Sequence, residues 1–436
     1  MDRQVLQLFP ANTSVNQKGR LVIGGCDSVE LAEKYGTPLY VLDEEHVRSQ
    51  CRTFVKAFRQ FYPLSRVAYA SKALLNRAVA AVICQEGLEL DVVSAGELAI
   101  ALSAGFPPDR IHFHGNNKSP GELEYALENR VGHLVLDSLM ETDAVINRLE
   151  NSVHRPALLL RVTPGVDAHT HRHITTGVSG SKFGMPLEKA AEAIGRLAGH
   201  SEINLAGLHC HLGSQIFETG PYVKAMDILL DFTRRMVDGA GFELKELSIG
   251  GGFAVNYVPG DNAPPASDYA VAITGSLTAG CQQRGLNGPE LIIEPGRSIA
   301  GRAGVTLYRA GMQKNIPGFG RYIAVDGGMA DNIRPALYGA RYTAVPAGRM
   351  QTEPVEKVSI MGKYCESADI LVQDVMMPGI EPGDIIAVPV TGAYCLPMAS
   401  NYNGALKAAV VMVDRGRDRL ICRREELDDL LRLDIV

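Results

Sequence analysis

The chain has 436 residues, which is too long for one ordinary hydrophobic core, so two domains are the default expectation. Hydrophobic residues make up 46% and charged residues 21%, as in soluble globular proteins. The formal charge of −6 argues against nucleic acid or an anionic membrane as a partner, and no apolar run approaches the roughly 20 residues that span a bilayer. Eight cysteines without a CxxC pair, and a start without the apolar centre of a secretory signal, predict a cytoplasmic, reduced protein.

The first strong element is TPLYVLD (37–43), which predicts a strand ahead of a longer alternating region. Eight short apolar or β-branched runs then predict eight more strands: RVAYAS (66–71), LELDVV (88–93), RIHFHG (110–115), GHLVLD (132–137), ALLLRV (157–162), NLAGLHCH (204–211), ELSIG (246–250) and ELIIEP (290–295). The segments between them carry apolar residues at three- and four-residue spacing and end at glycines, which predicts amphipathic helices. Alternating β and α units imply a parallel sheet, and eight units favour a closed (β/α)8 TIM-type barrel over an open doubly wound sheet.

After residue 301 the pattern changes to closely spaced strands broken by Gly or Pro. GVTLYRA, YIAVDGG, EKVSIMG, DIIAVPV and AAVVMV together predict a mainly antiparallel β domain. We expect the strand at 37–43 to join it, so that this domain is built from both chain ends. The predicted boundaries are 45–298 for the barrel, and 1–44 with 299–436 for the β domain.

Polar and glycine residues stand at the carboxyl ends of the predicted barrel strands, where TIM-type barrels carry their active sites. These residues are Ser71, Lys72, Asp91, His114, Gly115, Arg161, His209, Cys210, His211, Gly250, Gly251, Gly252, Glu294, Pro295, Gly296 and Arg297. A lysine at a strand end is normally a solvated charge, and three glycines are normally a tight turn. Together, however, GGGF after strand seven and EPGR after strand eight predict a phosphate site, since barrels commonly bind phosphate there. GxGxxG spacing is absent, so a Rossmann site is rejected.

Histidines raise the possibility of a metal site. His209 and His211 lie two apart on a predicted strand and would share one face. An amidohydrolase would need its HxH on the first strand and further histidines from later strands, but none of the eleven histidines follows His211. The tract HTHRH (169–173) reads as a polar loop. The prediction is therefore that no metal is bound.

In this order, Lys72, HLGSQ, GGGF and EPGR make the chain resemble the fold type III pyridoxal-phosphate-dependent decarboxylases. The resemblance spans roughly residues 20–430 and points to the diaminopimelate decarboxylase branch of that family. It is carried by YASKALLN, LDVVSAGEL, HFHGNNKS, GLHCHLGSQI, LSIGGGFAVNY, EPGRSIAG, VDGGMADNIRPALYGARY, YCESADIL and GAYCLPMASNYN.

The resemblance implies a set of residues that bind pyridoxal 5'-phosphate. Lys72 would attach the cofactor, His211 would stack on its ring, and Glu294 would keep the ring nitrogen protonated. Asp91 would support the residues that contact the cofactor, and Tyr394 of GAY would reach both cofactor and substrate. The phosphate region would be bound by Ser214, Gly251, Gly252, Gly296 and Arg297, and Pro295 would be a further cofactor-binding residue.

The resemblance also implies a homodimer with shared active sites. Cys365 and Glu366 of YCES would enter the partner subunit's barrel, where Cys365 donates a proton and Glu366 accepts the substrate's distal ammonium. Arg334 and Tyr338 of RPALY, with Arg297, would bind the distal carboxylate, for which a guanidinium is well shaped. The expected partner is thus a small amino acid.

The expected reaction is decarboxylation of meso-2,6-diaminopimelate to L-lysine and CO2, the last step of lysine biosynthesis. A decarboxylase of another basic amino acid or polyamine precursor (ornithine, lysine, arginine or carboxynorspermidine) is the main alternative, but such substrates leave Arg334 without a partner. Glu294 argues against an alanine-racemase-like isomerase, which would pair the ring nitrogen with a cation. A non-catalytic cofactor-binding protein would have no use for the β domain. The sequence departs from the family pattern at 395–397 and 404–405.

Overall fold

The computed structural model describes residues 3–150, 152–167, 181–200, 202–318 and 320–435. The chain forms two compact units. We call the first the β unit (Met1–Ser49, Val255–Asn262 and Arg297–Val436) and the second the barrel unit (Gln50–Ala254 and Ala263–Gly296).

The strands are, in chain order, β1 Ser14–Val15, β2 Leu21–Ile23, β3 Cys26–Asp27, β4 Leu39–Asp43, β5 Ser65–Ala70, β6 Glu89–Val92, β7 Ile111–Phe113, β8 His133–Leu136, β9 Ala157–Arg161, β10 Leu205–His209, β11 Glu246–Ser248, β12 Glu290–Ile293, β13 Gly304–Ile316, β14 Gly320–Val325, β15 Val345–Pro346, β16 Glu356–Met361, β17 Ile370–Met377, β18 Ile385–Pro389, β19 Ala409–Asp414 and β20 Arg417–Cys422. The helices are α1 Arg3–Leu6, α2 Ser28–Tyr35, α3 Glu44–Phe61, α4 Arg77–Gln85, α5 Ala95–Ser103, α6 Pro120–Glu128, α7 Leu139–Leu149, α8 Leu187–Ala198, α9 Gly220–Ala240, α10 Ala266–Arg284, α11 Arg297–Ala300, α12 Arg334–Tyr338 and α13 Leu427–Leu431.

The barrel unit is a closed barrel of eight parallel strands, β5 to β12 in sequential order, which confirms the predicted architecture. It closes where β12 pairs with β5, with Ile292 opposite Arg66. Each predicted strand is present. All but β5, which is shifted by one residue, are slightly shorter than their apolar runs, since the last residues turn into the loops. The middle of the barrel is filled by a small apolar cluster of Ala68, Val135, Leu159, Ala206 and Ile292.

The amino-terminal end of the barrel is closed by charged and imidazole side chains. Arg66 lies 3.2 Å from Glu89 and 3.0 Å from Glu246. His112 contacts Glu89 at 2.6 Å, His133 contacts Glu246 at 3.0 Å, and the two imidazole rings stack with centroids 3.9 Å apart. Because these groups pair with one another, this end of the barrel is filled and the chemistry is left to the opposite end.

The β unit contains one large mixed sheet and a small sheet of β1 to β3. The large sheet runs β17-β16-β14-β13-β4-β19-β20, with β18 on β13 and β15 on β18. Strand β4 pairs with β13 and β19, which confirms that the early strand joins the strands that follow residue 301. Most pairs are antiparallel, but β4–β19 and β14–β16 are parallel. Strands β17 and β20 were not predicted, because polar residues interrupt ILVQDVMM and RDRLIC.

None of the helices in the described part of the chain combines the length and apolar composition needed to cross a bilayer.

Candidate active site

Lys72 lies in a single 3-10 turn, Ser71–Ala73, directly after β5, and its side chain is half-buried. The loop after β12 packs onto this turn. The Ala70 N–H donates to the Pro295 carbonyl at 3.3 Å, and a Cβ on Gly296 would lie 3.0 Å from the Ala70 Cβ. The first and eighth strands therefore bring the predicted lysine beside the predicted EPGR loop.

Glu294 follows β12 and is 6% exposed. The Ser248 hydroxyl donates to its Oε1 at 2.6 Å, and His209 Nε2 lies 3.2 Å from its Oε2. Burial by itself raises a carboxyl pKa, but His209, His114 and the Ser248 hydroxyl hold the pKa of Glu294 well below its usual range. The barrel end thus contains an ionised carboxylate, the group that a protonated ring nitrogen requires.

The pKa of Asp91, at the end of β6, is shifted in the opposite direction. Burial, and then the charge of Glu294, raise the pKa of Asp91 well above its ordinary value. Its Oδ1 lies 3.7 Å from His114 Nε2, which in turn lies 3.8 Å from Glu294 Oε1. Their shared surroundings therefore favour the charged form of Glu294 and the neutral form of Asp91.

The ligand atoms of His114, His209 and Glu294 lie within 4.8 Å of one another, so these residues could hold a metal ion. Both oxygens of Glu294 already have hydrogen-bond partners, Ser248 and His209. Burial lowers the pKa of His114 well below its usual value. The tract at 169–173 lies outside the described residues.

The prediction that His209 and His211 share one strand face was wrong, because β10 ends at His209. The chain leaves the sheet once the Cys210 N–H has paired with the β11 strand at 2.9 Å. His211 Nδ1 accepts the Gly251 N–H at 3.1 Å, so its ring proton resides on Nε2. Burial, and then neighbouring cations, hold the pKa of His211 well below its usual value. His211 is therefore a neutral ring fixed against the glycine loop.

The loop after β11 has no room for side chains. A Cβ on Gly251 would lie 2.2 Å from the Glu294 carbonyl oxygen, and a Cβ on Gly252 would lie 2.6 Å from the Gly213 carbonyl oxygen. Gly252 also has a φ of +99°, which favours glycine. Ser214 is half-buried in the facing loop after β10. Backbone N–H groups of such a loop can approach a phosphate closely.

These residues fit pyridoxal phosphate. The cofactor needs a lysine for its aldehyde, a carboxylate for its ring nitrogen and backbone donors for its phosphate, and all three occur at this end of the barrel. Buried polar atoms here also have no hydrogen-bond partner within the described part of the chain, as expected where a polar ligand binds. They are Ser71 Oγ, Asp91 Oδ1, His114 Nε2 and His209 Nδ1.

Arg297 and Tyr394 belong to the β unit. Arg297 begins α11, is 7% exposed, and donates from Nη1 to Tyr257 Oη at 2.6 Å. Its guanidinium also lies over the Tyr394 ring, with Cζ 4.5 Å from the centroid. Tyr394 has a φ of +61°, a conformation that non-glycine residues adopt rarely and mostly at functional sites. Half-buried Tyr394 is therefore held in a specific position above Arg297.

Arg334 is the other buried cation of the β unit, at the start of α12 and 5% exposed. Its Nη1 donates to Tyr342 Oη, and its Cζ lies 4.7 Å from the centroid of the Tyr257 ring. Among the described residues no carboxylate forms an ion pair with it, and its Nε has no hydrogen-bond partner. Tyr338, at the end of the same helix, is half-buried.

Cys365 and Glu366 are exposed and are held by the SNYN segment. The Cys365 N–H donates to Asn403 Oδ1 at 3.1 Å, and the Tyr402 hydroxyl donates to Glu366 Oε1 at 2.5 Å. Asn403 adopts a φ of +53°, which asparagine tolerates better than most residues. The late tyrosine and asparagine therefore fix the YCES loop.

The sequence reasoning assigned no site role to five residues that the structure brings to these clusters: His114, His209, Ser248, Tyr257 and Tyr342. His114 and His209 stand at the ends of predicted strands, and Ser248, Tyr257 and Tyr342 lie within the motifs LSIGGGFAVNY and VDGGMADNIRPALYGARY, so each had a usable signal. The contacts of the two tyrosines could not be predicted, since each lies in a loop and is placed by residues distant in the sequence.

Comparison with known proteins identifies the family. Residues 44–301 match the family "Pyridoxal-dependent decarboxylase, pyridoxal binding domain". Diaminopimelate decarboxylase of Bacillus subtilis (strain 168) is 46% identical over 422 residues, which is 96% of each chain. The structure of diaminopimelate decarboxylase from M. jannaschii with L-lysine has a TM-score of 0.91 and 32% identity over 98% of both chains. The Helicobacter pylori enzyme with L-lysine has a TM-score of 0.85 and 30% identity over 93% of this chain and 98% of its own. The chain therefore belongs to the diaminopimelate decarboxylase family of pyridoxal-dependent decarboxylases.

Proposed function

We propose that the protein removes CO2 from meso-2,6-diaminopimelate and releases L-lysine, the last step of lysine biosynthesis. It is a carbon-carbon lyase that depends on pyridoxal phosphate, as its family is. The observation that carries the substrate assignment is Arg334.

A buried cation without an anionic neighbour is costly, since charge is poorly solvated away from water. Arg334 is 5% exposed and has no ion-pair partner among the described residues, so an anion from outside the chain would relieve that cost. Diaminopimelate carries a second carboxylate at its non-reacting end, and a guanidinium can bind it through paired N–H donors. Ornithine, lysine, arginine and carboxynorspermidine, as substrates, leave Arg334 without this partner.

The barrel unit supplies the cofactor residues in this proposal. Lys72 attaches pyridoxal phosphate through its amine, and ionised Glu294 keeps the ring nitrogen protonated. Bound there, pyridoxal phosphate would supply an electron sink for the bond that loses CO2. Neutral His211 covers the ring, and Asp91 supports the polar cluster around Glu294. The phosphate is bound by Ser214, Gly251, Gly252 and Gly296, with Arg297, and Pro295 is a further cofactor-binding residue.

The substrate residues follow from the ends of diaminopimelate. Arg334 and Tyr338, with Arg297, bind the distal carboxylate, and Glu366 accepts the distal ammonium. Cys365 Sγ delivers a proton to the carbon that has lost CO2, and Tyr394 orients cofactor and substrate.

Cys365 and Glu366 would act in the barrel of the partner subunit, so the proposed active unit is a homodimer. Support comes from the exposure of both side chains on a loop that Tyr402 and Asn403 fix. A cytoplasmic location is part of the same proposal, because substrate and product are metabolites of amino-acid biosynthesis. We also propose 45–298 as the cofactor-binding domain, and 1–44 with 299–436 as the domain that supplies substrate residues.

The test is to incubate the purified holoenzyme with meso-diaminopimelate and measure lysine and CO2 in equal amounts. Ornithine, lysine and arginine serve as comparison substrates at the same concentration. Turnover of any of these at the rate of diaminopimelate, or no lysine from diaminopimelate, would overturn the assignment.

A further inference from the structure

Tyr342 is placed to control the direction of Arg334. Its hydroxyl oxygen accepts a hydrogen bond from Arg334 Nη1, and the ring of Tyr257 meets the ring of Tyr342 edge-on, with centroids 5.2 Å apart at 85°. Arg334 Cζ lies 4.7 Å from the Tyr257 centroid and 5.5 Å from the Tyr342 centroid. The guanidinium is therefore supported by one aromatic face and anchored by one hydroxyl.

The direction of the Tyr342 hydroxyl follows from hydrogen-bond chemistry. Arginine donates and never accepts, so the phenolic hydrogen must point elsewhere. Tyr342 Oη lies 3.7 Å from Cys395 Sγ, and the Cys395 thiol in turn donates to the Ala393 carbonyl at 3.7 Å. Because the thiol hydrogen is directed to Ala393, its sulfur is left as an acceptor, and we assign one directed series of hydrogen bonds: Arg334 to Tyr342, Tyr342 to Cys395, and Cys395 to Ala393.

This series of hydrogen bonds gives a role to Cys395, one of the residues at which the sequence departs from the family pattern. Cys395 is fully buried and fills the position beside the Tyr342 hydroxyl, where it accepts the phenolic hydrogen. Burial raises the pKa of Tyr342 well above its usual value, so the phenol keeps this hydrogen at neutral pH. Both lone pairs of the phenol oxygen thus remain available to Arg334.

We propose that Tyr342 is a positioning residue for substrate specificity: it aims Arg334 so that the guanidinium selects a substrate with a carboxylate at its non-reacting end. The proposal rests on the proposed function, since it assigns Arg334 to that carboxylate. Tyr342 itself touches neither cofactor nor substrate in this scheme and acts only through Arg334.

The test uses Tyr342→Phe, which keeps the ring and removes the acceptor. The KM for meso-diaminopimelate should rise roughly tenfold, as for loss of one hydrogen bond to a charged group, while kcat stays within about twofold. Tyr308→Phe is the matched control. Tyr308 is buried in the same core cluster, and its hydroxyl has no hydrogen-bond partner among the described residues, so its kinetics should equal those of the wild type.

A double-mutant cycle separates positioning from a general effect on the fold. In an Arg334→Met background, Tyr342→Phe should cause no further loss, because the group on which it acts is gone. Inhibition gives a second measurement. L-lysine keeps the carboxylate and should inhibit Tyr342→Phe roughly tenfold less well, whereas 1,5-diaminopentane has no carboxylate and should inhibit both proteins equally.

The inference is overturned if Tyr342→Phe has wild-type KM, if its loss persists in the Arg334→Met background, or if both inhibitors weaken alike. Failure of the proposed function would appear in the wild-type holoenzyme itself, as the absence of lysine from diaminopimelate. The two failures are therefore distinguishable.

Discussion

Replacing Arg334 by Met should lower the activity of the enzyme with little change in its stability. The replacement fills a similar volume with an apolar chain and removes a charge that is 5% exposed and has no ion-pair partner among the described residues. Replacing uncompensated buried charge by apolar groups is often stabilising by about 1–4 kcal/mol. Loss of the contact with the Tyr257 face (about 0.5–2 kcal/mol) and of the hydrogen bond to Tyr342 (about 1.5–3 kcal/mol) offsets that gain. We therefore expect the substrate-free variant to be about as stable as the wild type, with a Tm within about 3 °C of it.

The same change should remove recognition of the distal carboxylate. A charge-assisted pair in a buried site contributes about 2–4 kcal/mol of transition-state binding, well above the 0–1 kcal/mol of exposed pairs. The value of kcat/KM for meso-diaminopimelate should accordingly fall about 30- to 900-fold. Weak or absent turnover of lysine and ornithine should barely change, and the absorption spectrum of the bound cofactor should stay that of the wild type.

Thermal unfolding measures the expected stability of the variant, and steady-state kinetics on the same preparations measures the expected loss of kcat/KM. A Tm lower by several degrees together with equal loss on every amine substrate would refute the reasoning, because Arg334 would then support the fold. Release of the cofactor from the variant would refute it as well. Arg341→Met, a neighbouring arginine without an assigned site role, is the control for loss of positive charge in this region.

The remaining predictions concern the subunit arrangement, the YCES loop and acid stability. If Cys365 acts in the partner's barrel, equal amounts of Lys72→Ala and Cys365→Ala proteins should regain about a quarter of wild-type activity after subunit exchange, since half the dimers then hold one intact site. Exchange without recovery would mean that each site is built within one chain. Tyr402→Phe removes the hydroxyl that donates to Glu366, so the KM for diaminopimelate should rise about three- to tenfold with little change in kcat; an unchanged KM would exclude this positioning. Burial lowers the pKa of His46 from 6.5 to about 4, so the unfolded chain binds more protons between these values and stability falls as pH drops from 6.5 to 4. His46→Gln should remove on the order of 3 kcal/mol of that dependence in urea unfolding, and a difference between the proteins that does not vary with pH would contradict it.

Much of the barrel could be predicted because its signals are local. Each of β5 to β12 coincides with a short apolar run, and helices such as α4 and α8 repeat apolar residues at helical spacing. The glycines at 250–252 could also be predicted as a close-approach loop, since a run without side chains has few other uses. The position of His211 outside the strand could not be predicted. The residue at which a chain leaves a sheet depends on the space that the facing loop provides.

The β unit was harder to predict for the same reason. β20 is rich in charge, and β17 is interrupted by polar residues, so neither matches a strand pattern. Each forms because a neighbouring strand supplies its hydrogen bonds, β19 for β20 and β16 for β17. Pairing partners of this kind are a property of the sheet rather than of the segment.

The sequence by itself determined the alternation of strands and helices, the residues at the strand ends and the family of the protein. Those features are encoded in short, continuous stretches of the sequence. The tertiary structure decided the opposite pKa shifts of Asp91 and Glu294, because these depend on burial and on groups about two hundred residues away in the sequence. It also decided that Tyr342 and Cys395 direct Arg334, since hydrogen bonds between distant loops exist only once the chain has folded.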